Sequence, residues 1–177
     1  MRMGETNKLT KVWNGKPLVA HVLDAAKASS LRDIVVVTGH QAGQVAECVG
    51  DGVRLVHNPD FATGMASSLR AGIGQAQSSG VEAVLVLLGD MPLVSAADIE
   101  RILDAFSEAG DDAIIQATCN GKPGNPVLIP TTYFDELLKI EGDKGARDLI
   151  RHYSDRRVLV EMGAAAARDF DTPEAFD

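Results

Sequence analysis

The feature that most restricts this chain is a repeated exchange between short apolar, β-branched runs and amphipathic stretches of helical period. Ile34-Val35-Val36-Val37-Thr38 stops at Gly39 and reads as a strand buried on both faces. Further strands are expected over 53–57, closed by Asn58-Pro59, and over 83–88, 112–117, 126–129 and 157–160. Between them, helical patterns cover 17–29, 42–49, 65–77, 95–109 and 132–138, and another helix is expected over about 144–153. Ser95 followed by Asp98 has the form of a capping box. Strand and helix in alternation predict βαβ units, hence an α/β fold with a mostly parallel, mixed sheet flanked by helices. In 177 residues there is no composition shift, internal repeat or low-complexity tract, so a single domain over 1–177 is expected. The Ala164-Ala165-Ala166-Ala167 run reads as a short turn or helix end with no functional part expected.

Composition narrows the partners. A formal charge of −8 argues against nucleic acid, whose phosphate backbone requires a Lys/Arg-rich face. A phosphorylated small molecule remains compatible, because it needs only one or two placed cations. No apolar run approaches a membrane span and no secretory leader is visible, so neither a membrane nor export is expected. Cys48 and Cys119 have neither zinc spacing nor a disulfide framework, which fits reduced thiols in a cytoplasmic protein.

In open α/β sheets ligands bind at the carboxyl ends of the strands, and the loops there hold few chemically distinctive residues. Leu85-Val86-Leu87-Leu88-Gly89-Asp90-Met91-Pro92 carries a strand directly into one carboxylate and then a proline. Such a carboxylate suits a hard divalent cation, since Mg²⁺ takes one or two protein carboxylates and fills its other positions with water and phosphate. Asp171, in Asp171-Thr172-Pro173-Glu174, is a candidate second ligand, although that tetrapeptide also reads as a helix N-cap. Lys8, near Gly4, could neutralise a phosphate; on spacing alone a solvated surface lysine has the better claim. Gly121-Lys122-Pro123-Gly124-Asn125-Pro126 is a rigid turn into a strand, with Asn125 able to offer its amide to a ligand. Gly142-Asp143-Lys144-Gly145-Ala146-Arg147 leads into a helix that Asp143 could cap, leaving backbone N–H groups for an anion. Neither the P-loop pattern nor a strand–GxGxxG–helix unit occurs, which disfavours a P-loop ATPase or an ordinary dinucleotide dehydrogenase.

Eight short motifs stand in one order: Arg2-Met3-Gly4 with Asn7-Lys8-Leu9, Val37-Thr38-Gly39-His40, His57-Asn58-Pro59, Gly64-Met65 with Ser67-Ser68-Leu69, Gly89-Asp90-Met91-Pro92, Gly124-Asn125-Pro126-Val127-Leu128, Gly142-Asp143 with Gly145-Ala146-Arg147, and Asp171-Thr172-Pro173-Glu174. Together they resemble the MobA-like nucleotidyltransferases, in particular the molybdenum cofactor cytidylyltransferases. The resemblance implies a Rossmann-like nucleotidyltransferase fold and transfer of CMP from CTP to the phosphate of molybdenum-bearing molybdopterin, with release of pyrophosphate. It implies Mg²⁺, with Mn²⁺ as an alternative, held by Asp90 and Asp171. Lys8 and Arg2 are implied as the basic residues on the triphosphate, with Lys8, Arg2 and Asp90 forming the catalytic set. Asn58, Gly64, Ser67, Ser68 and Gly89 are implied on the nucleotide side, and Pro123, Gly124, Asn125, Asp143 and Arg147 on the acceptor side. A molybdenum hydroxylase is the implied receiver of the product. The family ordinarily opens with a strand and a Leu-Ala-Ala-Gly-x-Ser-type loop just before Arg-Met-Gly, so the sheet here is expected without its usual first strand. Asn125 stands where many relatives carry histidine, which bears on the acceptor. Two alternatives stay open: a transferase of the same fold using GTP or another acceptor, and a non-catalytic module that binds and delivers the molybdenum cofactor.

Overall fold

The computed structural model describes residues 7–168 and 170. A 3₁₀ turn over Lys8–Thr10 precedes a small hairpin of β1 (Val12–Trp13) and β2 (Lys16–Pro17), followed by α1 (Leu18–Lys27). Next come β3 (Val35–Thr38), α2 (Ala42–Val49), β4 (Arg54–His57), α3 (Met65–Gln77), β5 (Ala83–Val86) and α4 (Ala96–Ala109). The chain continues through β6 (Ile114–Cys119), β7 (Lys122–Pro130), α5 (Phe134–Leu137), α6 (Arg147–His152) and β8 (Arg157–Glu161), ending in a 3₁₀ turn at Gly163–Ala166.

β3 and β4 pair in parallel, while β5, β7, β6 and β8 form a four-stranded sheet in that order. The larger sheet is mixed because β7 runs antiparallel to both β5 and β6, whereas β6 and β8 are parallel. Among the described residues β3 and β5 are each hydrogen-bonded on one side only. That explains one departure from expectation: Val35, Val36 and Val37 are half-buried instead of enclosed on both faces.

Strand alternation distributes the core. Ile115 and Ala117 of β6, with Leu128 of β7, pack beneath Ile99 and Ile102 of α4 and Ala25 and Ala26 of α1. Ile114, Val127 and Ile129 point the other way, against Ile73 of α3, Phe134 and Leu137 of α5 and Ile150 of α6. Helices therefore cover both faces of this sheet, and the strand ends are left as the places where loops can meet.

The capping box forms as expected. The Ser95 hydroxyl accepts from the Asp98 N–H at 3.2 Å, and the Asp98 carboxylate accepts from the Ser95 N–H at 2.9 Å. Ser95→Ala is expected to cost about 1 kcal/mol, read as a lower urea midpoint at an unchanged slope. Among the expected boundaries the two largest corrections fall at the starts of β7 and α6. β7 begins at Lys122 instead of 126, because it continues the β6 hairpin across the positive-φ pair Asn120 (51°) and Gly121 (75°). α6 begins at Arg147 instead of 144, because Gly142 (75°) and Gly145 (55°) hold the preceding loop in left-handed backbone that no helix can include. Ala146, not Asp143, is the residue at its N-cap.

Candidate active site

The run leaving β5 reaches Gly89 and Asp90 and then turns back, with the Met91 N–H on the Leu88 carbonyl at 3.3 Å and the Val94 N–H on that of Met91 at 3.2 Å. Glycine at 89 lets the Lys8–Thr10 turn approach, since a Cβ there would lie 3.3 Å from the Leu9 side chain. The turn is fixed at its start by Asn7, whose side-chain oxygen accepts the Leu9 N–H at 3.1 Å and whose amide donates to the His40 carbonyl at 3.3 Å. These constraints set the Lys8 ammonium 2.5 Å from the Asp90 carboxylate, across 82 positions of sequence. Asp90 is largely covered, with 16% of its side chain exposed, and Lys8 is 32% exposed. A close, partly desolvated pair of this kind carries both signs of charge needed to meet a phosphate and its cation.

The Phe170 N–H donates to the Asp90 carbonyl at 3.1 Å, which ties residue 170 to the β5 exit loop. Asp171 and Arg2 themselves lie outside the described residues. Among the described residues no three His, Cys, Asp or Glu side chains converge on a metal position. Among the described residues Asp90 brings one carboxylate to this position, and that donor set fits Mg²⁺ or Mn²⁺ held chiefly by substrate phosphates and water, not a closed protein cage.

Asn58 and Ser67 are buried. The Asn58 amide donates to the hydroxyls of Ser67 at 2.8 Å and Ser68 at 3.0 Å, and its oxygen accepts the Asp60 N–H at 3.0 Å. The Ser67 hydroxyl reaches the Gly64 carbonyl at 2.8 Å. These polar groups organise the loop from within. Gly64, at φ +115°, lies so close to the 142–147 loop that a Cβ would sit 2.6 Å from the Asp143 carboxylate and the Gly142 carbonyl. The Ala66 N–H completes the join, on the Gly142 carbonyl at 3.0 Å. Asp143, expected on the acceptor side, therefore sits against the proposed nucleotide loop, together with the segment leading to Arg147.

Pro123, Gly124 and Asn125 lie elsewhere, on the wall of a cavity of about 470 Å³ that also takes in Leu88, Met91 and Ala166. The Asn125–Pro126 peptide bond is cis. Behind this wall stands Glu161, a residue that sequence reasoning missed. Its carboxylate accepts N–H groups of Asn120 (2.9 Å), Gly121 (3.1 Å) and Gly163 (3.1 Å) and the Thr118 hydroxyl (2.9 Å). The Gly121 and Asn120 amides, then the Thr118 hydroxyl, outweigh the small effect of desolvation and lower its pKa to about 2. The only local signal was the hairpin-forming Asn120-Gly121 pair; its acidic partner stands some forty residues further on. A depressed carboxylate stabilises the fold fully above its ordinary pKa of 4.5 and loses that contribution as pH falls toward 2. Accordingly, the stability gap between the wild type and Glu161→Gln should narrow on acidification through that window, as measured by urea denaturation at each pH.

Beyond the end of β5, then, the mixed α/β sheet presents a carboxylate with a lysine set against it and an adjoining cavity. The chain belongs to the MobA-like NTP transferase domain family, which matches residues 1–158. It is 27% identical to the molybdenum cofactor cytidylyltransferase of Escherichia coli over 180 residues, a match covering 99% of this chain and 87% of that protein. It is 36% identical over 111 residues to the bifunctional protein GlmU of Symbiobacterium thermophilum, covering 62% of this chain and 23% of GlmU. The chain spans only 23% to 34% of the first three GlmU proteins it matches. Rv0371c of Mycobacterium tuberculosis superposes with a TM-score of 0.78 at 25% identity, covering 99% of this chain and 88% of that one. The same protein in complex with manganese gives 0.76 at 24% identity, covering 96% and 88%.

Proposed function

We propose that this chain transfers CMP from CTP to the terminal phosphate of molybdenum-bearing molybdopterin and releases pyrophosphate, in the service of a molybdenum hydroxylase. The observation that carries the reading is the Lys8–Asp90 pair, placed at the exit of β5 beside the cavity walled by Pro123, Gly124 and Asn125. The near full-length relationship to a molybdenum cofactor cytidylyltransferase supports this choice of nucleotide and acceptor.

The reaction brings two anions together. An oxygen of the acceptor phosphate forms a bond to the α-phosphorus of CTP, and the α–β anhydride bond breaks, sending its electron pair to pyrophosphate. In the free protein Lys8 and Asp90 neutralise each other. Lys8 and Arg2 would hold the triphosphate oxygens, and Asp90 and Asp171 would hold the divalent cation. Mg²⁺ or Mn²⁺ bound there supplies neutralisation of phosphate charge. Asn58, Ser67 and Ser68 hold the nucleotide loop in shape, Gly64 lets the 142–147 loop approach it, and Gly89 lets the Lys8–Thr10 turn approach the Asp90 loop. Positioning and electrostatics carry the catalysis, with no covalent enzyme intermediate.

The test is pyrophosphate release in the presence of Mg²⁺ and molybdenum cofactor, with each of the four NTPs in turn. Release selective for CTP supports the proposal. Release selective for GTP redirects it to another transferase of the same fold, and cofactor binding without turnover of any NTP supports a delivery module instead.

A further inference from the structure

The cavity beside Asp90 is built from two pieces of chain that Glu161 ties together. One is the β6–β7 hairpin, whose turn residues Asn120 and Gly121 donate to the Glu161 carboxylate, with Thr118 adding its hydroxyl. The other is the 163–166 turn, whose Gly163 N–H donates to the same carboxylate. The two pieces are in backbone contact further along, because Gly124 abuts the Ala166 carbonyl so closely that no Cβ could be added without displacing one of them. The Gln116 amide donates to the Gly124 carbonyl at 3.0 Å and fixes the hairpin from its inner side. A cleft whose two walls are locked in this way has a defined width.

The floor of that cleft is apolar, formed by Leu88 and Met91, and its rim carries Lys122. Lys122 is exposed, and among the described residues its ammonium forms no ion pair or hydrogen bond. In a chain of net charge −8, Lys122 places a cation on the rim of an apolar cleft next to the Asp90 exit loop. An apolar floor with one cation at its edge suits a molecule with a flat or apolar body and an anionic group.

Building on the nucleotidyl-transfer reading above, we propose that Lys122 selects the acceptor by pairing with its anionic group, and that Glu161 is the positioning residue that holds Lys122 at the rim. Lys122 acts on acceptor binding, whereas Lys8 and Asp90 act on the triphosphate. The two functions are separable because Lys122 rides on a hairpin distinct from the β5 exit loop.

Cys119, half-buried on the same cleft, gives an occupancy probe that needs no turnover. In a Cys48→Ser background, the iodoacetamide alkylation rate of Cys119 is followed against increasing molybdenum cofactor. The inference expects protection in the wild-type cleft, a half-protecting concentration about tenfold higher in Lys122→Gln, and recovery in Lys122→Arg. In the pyrophosphate assay the same Lys122→Gln change should raise the acceptor KM about tenfold, with kcat and the Kd for CTP held. Glu161→Gln should shift the acceptor KM in the same direction, because an amide presents N–H donors to a group of N–H donors. Equal half-protecting concentrations in the wild type and Lys122→Gln, or no protection of Cys119 at all, would overturn the inference. Absence of pyrophosphate release by a wild type whose Cys119 is protected in a Lys122-dependent way would instead count against the proposed reaction and leave the cleft assignment standing.

Discussion

Asp90→Asn is expected to lower kcat for pyrophosphate release by on the order of 10²–10³-fold, the range seen when one electrostatic group is removed from a transition-state site. The change preserves the size of the side chain, so the turn back through Met91 and Val94 is retained. What disappears is the charge that pairs with Lys8 at 2.5 Å and that would hold the cation on the triphosphate. Any loss of stability should be small beside the loss in kcat, since the asparagine keeps the side-chain volume and its Oδ1 can still accept from the Lys8 ammonium. Steady-state kinetics alongside thermal melting separates the two effects. A large fall in kcat with a nearly unchanged Tm fits the account, and retention of kcat within a few-fold removes Asp90 from the chemistry.

Gly124→Ala should be the most damaging single-methyl insertion at the cleft. The added Cβ would meet the Ala166 carbonyl, a backbone atom that cannot rotate away, and not the end of a flexible side chain. Either the hairpin or the 163–166 turn must shift, and overpacking of this kind costs about 1–3 kcal/mol. Because Gly124 also accepts from Gln116 and lines the cleft, the shift should reach the acceptor before it reaches the nucleotide. The expected result is a rise in acceptor KM of about tenfold or more, with the CTP Kd within two-fold of wild type by calorimetry. Equal weakening of both ligands would show that the cleft and the triphosphate site are one mechanical unit.

What could be read from the sequence follows from which interactions are local. Periodicity placed β3 through β8 and their intervening helices, because burial on one face imprints a period of two or 3.6 on neighbouring residues. The Ser95–Asp98 cap was legible because its partners are three residues apart. Asp90 and Lys8 were legible as candidates, but their pairing was not, since 82 positions separate them and the packing of Leu9 over Gly89, with the Asn7 bond to the His40 carbonyl, belongs to the folded chain. Asp143 illustrates the opposite error. Its position before a helical pattern fits a cap, yet the left-handed glycines on either side delay the helix and turn the residue toward Gly64. Glu161 was invisible for a different reason: a glutamate at the end of a strand looks solvated until the hairpin and the 163–166 turn fold onto it. The alanine run, unremarkable in sequence beyond its turn-forming character, supplies one wall of the cleft through Ala166.

The central claim, transfer of a nucleoside monophosphate to a phosphorylated acceptor, is tested most directly by following label from the two ends of CTP. With Mg²⁺ and molybdenum cofactor, CTP labelled at the α-phosphorus should place its label in the acceptor product, and CTP labelled at the γ-phosphorus should place it in pyrophosphate. Label from the γ-position in the acceptor, or release of γ-label as inorganic phosphate without any α-label transfer, would contradict the account.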